Sequence, residues 1–208
     1  MKNLGIKNIQ VSIDGFEDAH DLVRGKGSFQ KSIKTLKFLI DQNFSTVAAL
    51  VVTKLNHREL PEFVEYLIGI GVKKIAAFKF VSTGRGKINA ALQLNSEEQK
   101  CLAKTVAWLE QKHGAEFFKC DHSLAFFAGE KKDGGGCELG QKFLNIRPNG
   151  DVLGCPFLPI VVGNIRKESL VDIWNSEKYR KFRRDHLALT PGLKCTERCD
   201  MTMLGELL

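Results

Sequence analysis

Four cysteines in the last third of the sequence have the residue type and the spacing of a metal site. They are Cys137, Cys155, Cys195 and Cys199, and 17, 39 and 3 residues separate them in that order. Four thiolates suit either a tetrahedral Zn²⁺ or an iron–sulfur cluster. A structural zinc site usually has two close pairs of ligands, whereas here only Cys195 and Cys199 are close. The spacing therefore favours an iron–sulfur cluster.

Two other interpretations of the six cysteines are open. A disulfide framework is typical of short, secreted, cysteine-dense chains, and this sequence has 208 residues and opens with MKNL, which does not begin a signal peptide. Buried core thiols are common as well. That interpretation fits Cys101, which falls inside a predicted amphipathic helix. Cys120 is either a core residue at a strand end or a further ligand.

The first half of the sequence alternates between predicted strands and helices. Apolar or alternating runs predict three strands, over residues 9–13, 46–53 and 75–81. Helices are predicted at three places, with Ser28 as N-cap, with Asn56 as N-cap, and from Ser96 to His113. Asn56 with Glu59, and Ser96 with Gln99, have the spacing of capping boxes. Such a β–α–β–α–β series predicts a parallel sheet, either an incomplete barrel or a small open sheet.

The elements that position the cysteines come after a short predicted strand near residues 116–119. The glycine-rich stretch 133–136 is typical of a boundary, and the character of the sequence changes after it. Residues 143–155 predict a β-hairpin whose turn is Pro-Asn-Gly-Asp, residues 148–151. A helix is predicted over 169–186, with inward residues Leu170, Ile173, Trp174 and Phe182. A metal site gathers its ligands on such hairpin ends and loops.

Composition bounds the location and the partners. With 43% hydrophobic and 26% charged residues the sequence is typical of a globular protein, and no apolar run approaches the ~20 residues that span a bilayer. We therefore expect a cytoplasmic protein with no membrane partner. The net charge of +7 permits an anionic partner but does not require one.

Motifs along nearly the whole chain resemble one superfamily. The N-terminal motifs are VSIDG at 11–15, His20-Asp21, Arg24-Gly25, Gly27-Ser28-Phe29, Asn56 with Glu59 and Leu60, and Gly84-Arg85-Gly86. The more specific C-terminal motifs are Cys137 followed after 12 residues by Gly150 and after 4 more by Cys155, then Gly163-Asn164-Ile165, Ser169-Leu170 and Ile173-Trp174. Together they resemble the radical SAM superfamily, specifically members with a C-terminal SPASM or shorter twitch extension.

This resemblance implies a fold of the α/β class: an incomplete parallel (β/α) barrel, represented by its last three strand–helix units, then a small α+β twitch/SPASM-type domain with a β-hairpin. The implied domains are residues 1–114 for the partial barrel, 115–136 for a connecting segment, and 137–208 for the auxiliary-cluster domain. Typical members mature peptides or proteins or build cofactors. The substrate of the intact enzyme would be a peptide or a small molecule.

The resemblance also implies cofactors and site residues. The cofactors are S-adenosylmethionine, in the intact enzyme, and an auxiliary [4Fe–4S] cluster. Ser12 is expected to hydrogen-bond S-adenosylmethionine, and Arg24 suits its methionyl carboxylate. Asp14 is either a cofactor contact or a turn residue before Gly15. With only four cysteines after Gly136, one four-thiolate cluster is expected, which favours the twitch type and a role in electron transfer, with an electron donor protein as partner, or in structural support.

One departure from the family is large. The sequence contains no CxxxCxxC, the motif that binds the cluster that cleaves S-adenosylmethionine. Its place would be upstream of Met1. Alone, this polypeptide is not expected to make the radical, and we expect a fragment, a truncated gene product or one half of a split enzyme whose partner is the missing N-terminal half.

A hypothesis from another class is a non-catalytic module with a structural zinc site made of four cysteines. The basic run over residues 178–184 would then bind an acidic peptide or, less in keeping with the other motifs, nucleic acid, although a solvated helix face explains the run more simply. The metal itself distinguishes the two hypotheses.

Overall fold

The computed structural model describes residues 4–120 and 140–188, and Cys137, Cys195 and Cys199 lie outside these ranges. The chain divides into two compact units. The N-terminal unit comprises Met1–Phe80 and Ile88–Glu130, and the C-terminal unit comprises Val81–Lys87 and Lys131–Leu208. In the part of the chain that is described, no helix is both long and apolar enough to cross a membrane. The predicted division at residues 114 and 136 stays a prediction.

The N-terminal unit is built on a four-stranded sheet in which every neighbouring pair is parallel. Its strands, in spatial as in chain order, are β1 (Asn8–Ser12), β2 (Ser45–Val52), β3 (Lys74–Lys79) and β4 (Phe118–Cys120). The helices are α1 (Glu17–Arg24), α2 (Ser28–Asp41), α3 (Leu60–Gly69) and α4 (Ser96–His113). A 3-10 helix at Gly84–Leu92 includes residues of both units. The predicted α/β class with a parallel sheet is confirmed.

The core of this unit lies on one face of the sheet. Because side chains alternate along a strand, Ile13, Leu50 and Ile75 share a face, and they are buried together with the apolar stripes of α2, α3 and α4. On the opposite face Ser12 is exposed and Phe78 is 38% exposed. Strands in sequential order with their helices on one face are the arrangement of a (β/α) barrel, whereas a doubly wound sheet has helices on both faces.

The helix starts differ from the sequence predictions. A helix that was not predicted, α1, precedes α2, and the N-cap of α2 is Gly27 in a left-handed conformation (φ 77°) rather than Ser28. The capping box of α4 is formed by Asn95 and Glu98, one residue earlier than predicted. The local pattern fits both registers because consecutive polar residues precede the apolar stripe, and only the backbone geometry selects between them.

The C-terminal unit has an antiparallel sheet of three short strands, β5 (Asn145–Ile146), β6 (Asp151–Leu153) and β7 (Val161–Asn164), in that order. The predicted hairpin is confirmed as β5 and β6, while β7 was not predicted as a strand. Two helices follow, α5 (Leu170–Asn175) and α6 (Glu177–Ala188).

The single predicted helix over 169–186 is wrong because Ser176 interrupts it. Ser176 has an extended backbone (φ −62°, ψ 150°), its hydroxyl donates to the Ile173 carbonyl, and it accepts from the Tyr179 amide. Serine competes with helical backbone bonds in this way. Of the predicted inward residues, Ile173 and Phe182 are buried, but Leu170 is 43% exposed.

Candidate functional site

Asp14 lies at the carboxyl end of β1, the edge at which parallel α/β folds place their sites. Its side chain is 5% exposed, and its Oδ2 accepts from Arg24 Nε at 2.5 Å. Its Oδ1 accepts from the Val51 amide at 2.8 Å, which extends the β1–β2 ladder by a side-chain bond. The structure therefore brings Asp14 and Arg24 together as an ion pair at this edge.

Asn56 ties the ends of β1 and β2 together instead of capping α3. Its Nδ2 donates to the carbonyls of Asp14 at 3.0 Å and Val51 at 2.8 Å, and its Oδ1 accepts from the Thr53 amide at 2.8 Å. The predicted cap at Asn56 is wrong because α3 begins four residues later, at Leu60, after a turn. A buried amide with three bonds to backbone groups fixes the geometry of both strand ends.

His20 is fully buried beneath this edge, and no role was predicted for it from the sequence. Its Nδ1 accepts from the Asp14 amide at 2.9 Å, so the ring proton is on Nε2, for which the described residues offer no hydrogen-bond partner. Burial lowers the pKa of His20 below 6.5, although the negative charge of Asp14 opposes this shift. The sequence pattern that could have pointed to this hydrogen bond is an Asp-Gly pair followed by a histidine on the next helix.

Asp21 accounts for the local fold between α1 and α2. Its carboxylate accepts from the Gly27 amide, from the Phe29 amide at 2.8 Å and from Ser28 Oγ at 3.1 Å. The hydrogen bond from Phe29, followed by that from Gly27, lowers the pKa of Asp21. Asp21 thus satisfies the amide groups at the start of α2, which was the role predicted for Ser28.

Ser12 and Arg24 stay available at the same edge. Ser12 is the last residue of β1, paired in register with Ala49, and its side chain is exposed on the face away from the helices. Arg24 ends α1, and its side chain is 36% exposed. Within the described residues only its Nε is hydrogen-bonded, which leaves the two terminal nitrogens of the guanidinium for another acceptor.

In the C-terminal unit, Cys155 is the predicted metal ligand that the structure describes. It lies two residues after β6, is 3% exposed, and belongs to a buried cluster with Val152, Tyr179 and Phe182. Cys137, Cys195 and Cys199 lie outside the described residues. Cys101 is exposed on α4, so its interpretation as a buried core thiol is wrong, because the buried stripe of this helix includes Leu102 and Val106 but not Cys101. Cys120 ends β4 in register with Ala77.

The turn before Cys155 is held by polar groups that explain its motif. Gly150 has φ 89°, a conformation that favours glycine, and its amide donates to the Arg147 carbonyl at 2.8 Å. Asn164 Nδ2 donates to Asp151 Oδ1 at 2.9 Å, and hydrogen bonds from Asn164 and then Asn149 lower the pKa of Asp151. Asn164 of β7 therefore fixes the turn that leads into Cys155.

Known proteins are similar to this chain over both of its units. Residues 137–200 match the family model of SPASM, an iron–sulfur cluster-binding domain. The sporulation killing factor maturation protein SkfB of Bacillus subtilis is 28% identical over 175 residues, which cover 83% of this chain and 42% of SkfB. An AdoMet-dependent heme synthase of Methanosarcina barkeri is 27% identical over 207 residues, covering 88% of this chain and 58% of the synthase.

A solved structure agrees on the fold. Streptococcus suis SuiB bound to the precursor peptide SuiA superposes with a TM-score of 0.64 at 17% identity, over 85% of this chain and 44% of SuiB. The C-terminal region thus resembles an iron–sulfur cluster-binding domain, on a chain with a parallel α/β unit. The resemblance to radical SAM proteins with a C-terminal SPASM domain is confirmed. The chain spans about half the length, 42% and 58%, of the two curated relatives compared.

The residues present fit an iron–sulfur group as far as they are described. Cys155 supplies a thiol in a buried apolar setting two residues after β6, which suits a fixed thiolate ligand shielded from water. Across residues 4–120 and 140–188, no group of three His, Cys, Asp or Glu side chains forms an alternative metal site.

Proposed function

We propose that this chain provides the auxiliary-cluster part of a radical SAM peptide maturase. The cluster would be a [4Fe–4S] cluster held by Cys137, Cys155, Cys195 and Cys199. The observation that carries the proposal is the SPASM match over residues 137–200, in which Cys155 is buried two residues after β6. When bound, such a cluster accepts and passes single electrons, so an electron donor protein is the expected partner.

The N-terminal unit supports a role toward S-adenosylmethionine in the intact enzyme. Ser12 is exposed at the carboxyl edge of the sheet, and Arg24 has its terminal nitrogens available there while Asp14 holds its Nε. A guanidinium fixed at one nitrogen is well placed to bind a carboxylate with the other two. The sequence has no CxxxCxxC, so cleavage of the cofactor would need a cluster bound by another part of the protein.

A peptide is the proposed substrate of the intact enzyme. The support is the peptide maturation named for SkfB and the precursor peptide bound to SuiB. A small-molecule substrate is the alternative, since the heme synthase aligns over a similar share of the chain. Assaying the intact enzyme with candidate precursor peptides from neighbouring open reading frames distinguishes these two classes.

Metal analysis of the full chain tests the proposal. After anaerobic reconstitution with iron and sulfide we expect broad absorbance near ~400 nm and about four irons and four sulfides per chain. The matched control is the protein as purified, without reconstitution, analysed for both zinc and iron. A colourless protein that keeps one zinc and excludes iron would refute the cluster and favour the structural zinc module.

A further inference from the structure

In the described part of the C-terminal unit, an aromatic ring packs unusually closely against Gly154, the residue directly before Cys155. The ring of Phe182, on α6, lies against the backbone of Gly154. A Cβ atom added at Gly154 would lie 2.6 Å from Phe182 Cδ1 and 2.7 Å from Cζ, and nearer still to Cε1. Real Cβ contacts essentially never come below 3.0 Å, so no side chain fits at residue 154 while the ring keeps its place.

Gly154 is required for space and not for its backbone conformation. The glycines with positive φ include Gly140 and Gly150, but not Gly154. Phe182 also lies against Gly140, where an added Cβ would be 2.7 Å from Cε1. The ring thus fills the space left by two glycines, one of which precedes Cys155 in the chain.

The ring cannot easily move aside. Phe182 is 7% exposed and stacks on Tyr179, with 6.0 Å between ring centroids and an interplanar angle of 23°. Tyr179 is fully buried, and its other neighbours include Trp174, at 5.3 Å between centroids, and the guanidinium of Arg183, 4.4 Å from its ring. Because the ring is held, a side chain at residue 154 would displace the backbone that carries Cys155 instead.

We infer that Phe182 is a positioning residue for the auxiliary cluster: its ring, seated on Gly154, fixes the Cys155 thiolate and keeps water from it. This inference rests on the proposed function, in that Cys155 must ligate the cluster. A ligand is effective only when its surroundings hold it within a few tenths of an ångström of the bonding position. Reduction adds negative charge to a thiolate-bound cluster, so exclusion of water around Cys155 keeps the reduction potential low.

Three variants of the reconstituted full chain test the inference. For Gly154→Ala we expect loss of iron to a chelator about tenfold faster than for the wild type, the range found when outer-shell support is removed. For Gly154→Ala combined with Phe182→Ala we expect partial recovery, to a rate about threefold faster than the wild type, because the clash is gone but the ring no longer supports Cys155. Phe182→Ala alone should keep the cluster but raise its reduction potential, measured by redox titration followed by electron paramagnetic resonance.

Gly163→Ala is the matched control, because its added Cβ would lie 2.7 Å from Ile173 Cγ1, a clash in the same unit that involves a side chain other than Phe182. Circular dichroism confirms that each variant is folded before it is compared. Gly154→Ala that loses iron no faster than Gly163→Ala, or that Phe182→Ala does not rescue, would overturn the inference. If the wild type itself binds no iron, the proposed function has failed, and that result is distinct from these.

Discussion

Within residues 4–120 and 140–188, the two units of the chain differ in the size of their cores. Among the described residues, nineteen buried apolar side chains form the core of the N-terminal unit, whereas seven form that of the C-terminal unit. The first also has a buried polar network in which Asn56, Asp14 and His20 join strand ends. The second has a row of aromatic contacts beside Arg183, in which Phe182 stacks on Tyr179 and Trp174 meets Tyr179 edge to face.

This difference indicates where a metal contributes to folding. A large apolar core stabilises a domain without further help, while small domains usually need a disulfide, a metal or a partner. The predicted ligands all lie in the unit with the small core. The comparison therefore suggests that the cluster stabilises the C-terminal unit and that the N-terminal unit folds on its own core.

Removal of the cluster has the largest expected effect on this comparison. In the apoprotein we expect amide protection in β6, β7 and α6 to fall about 100-fold or more, because metal-binding free energy becomes folding free energy in small metal domains. Protection in β1 to β3 should stay within about twofold. Hydrogen exchange followed by mass spectrometry on holo and apo protein measures both. An equal loss of amide protection in the two units would contradict the conclusion that each unit is stabilised separately, one by its own core and the other by the cluster.

Asn56→Ala tests the polar network of the N-terminal unit. It leaves the Thr53 amide and the carbonyls of Asp14 and Val51 without their buried partner, so we expect a loss of about 3 kcal/mol in the free energy of unfolding. Urea unfolding measures it. Asn175→Ala removes an exposed side-chain bond to the Val171 carbonyl and should cost less than about 0.5 kcal/mol. Similar losses from both variants would show that Asn56 is not a structural bridge.

His20 predicts a pH dependence confined to the N-terminal unit. Its pKa is lowered in the folded protein by burial, so below pH 6.5 the unfolded chain takes up the proton first and stability falls as the pH falls. Protonation also removes the Nδ1 acceptor of the Asp14 amide. His20→Gln keeps an acceptor but does not titrate, so unfolding measured from pH 6.5 downward should lose this slope. An unchanged slope in the variant would contradict the role of His20.

Asn95→Ala has the smallest expected effect and tests the register of α4. Asn95 accepts from the Glu98 amide at 2.9 Å, and its removal should cost about 1 kcal/mol in unfolding free energy. Ser96→Ala should be close to neutral, because Ser96 is the first residue inside the helix. A larger loss of unfolding free energy from Ser96→Ala than from Asn95→Ala would show that Ser96 is the N-cap, as predicted from the sequence.

The sequence predicted what depends on periodicity and residue type, and missed what depends on three-dimensional contacts. Strand positions followed from apolar runs, and the SPASM resemblance followed from Cys137, Gly150 and Cys155. The roles of Asn56 and Asp21 could not be predicted in this way. A side chain that caps a helix and one that bridges backbone groups of separate segments are of the same residue types. The break at Ser176 is set by its bonds to Ile173 and Tyr179, and the need for Gly154 is set by Phe182, 28 residues later in the sequence.

The central claim is that four particular thiolates hold an iron–sulfur cluster, and iron and sulfide analysis of single cysteine variants tests it most directly. After anaerobic reconstitution, Cys137→Ala and Cys155→Ala should lose the cluster, with Cys195→Ala and Cys199→Ala behaving alike. Cys101→Ala should retain about four irons per chain, as in the wild type. Equal loss from Cys101→Ala, or full retention in Cys155→Ala, would contradict the account.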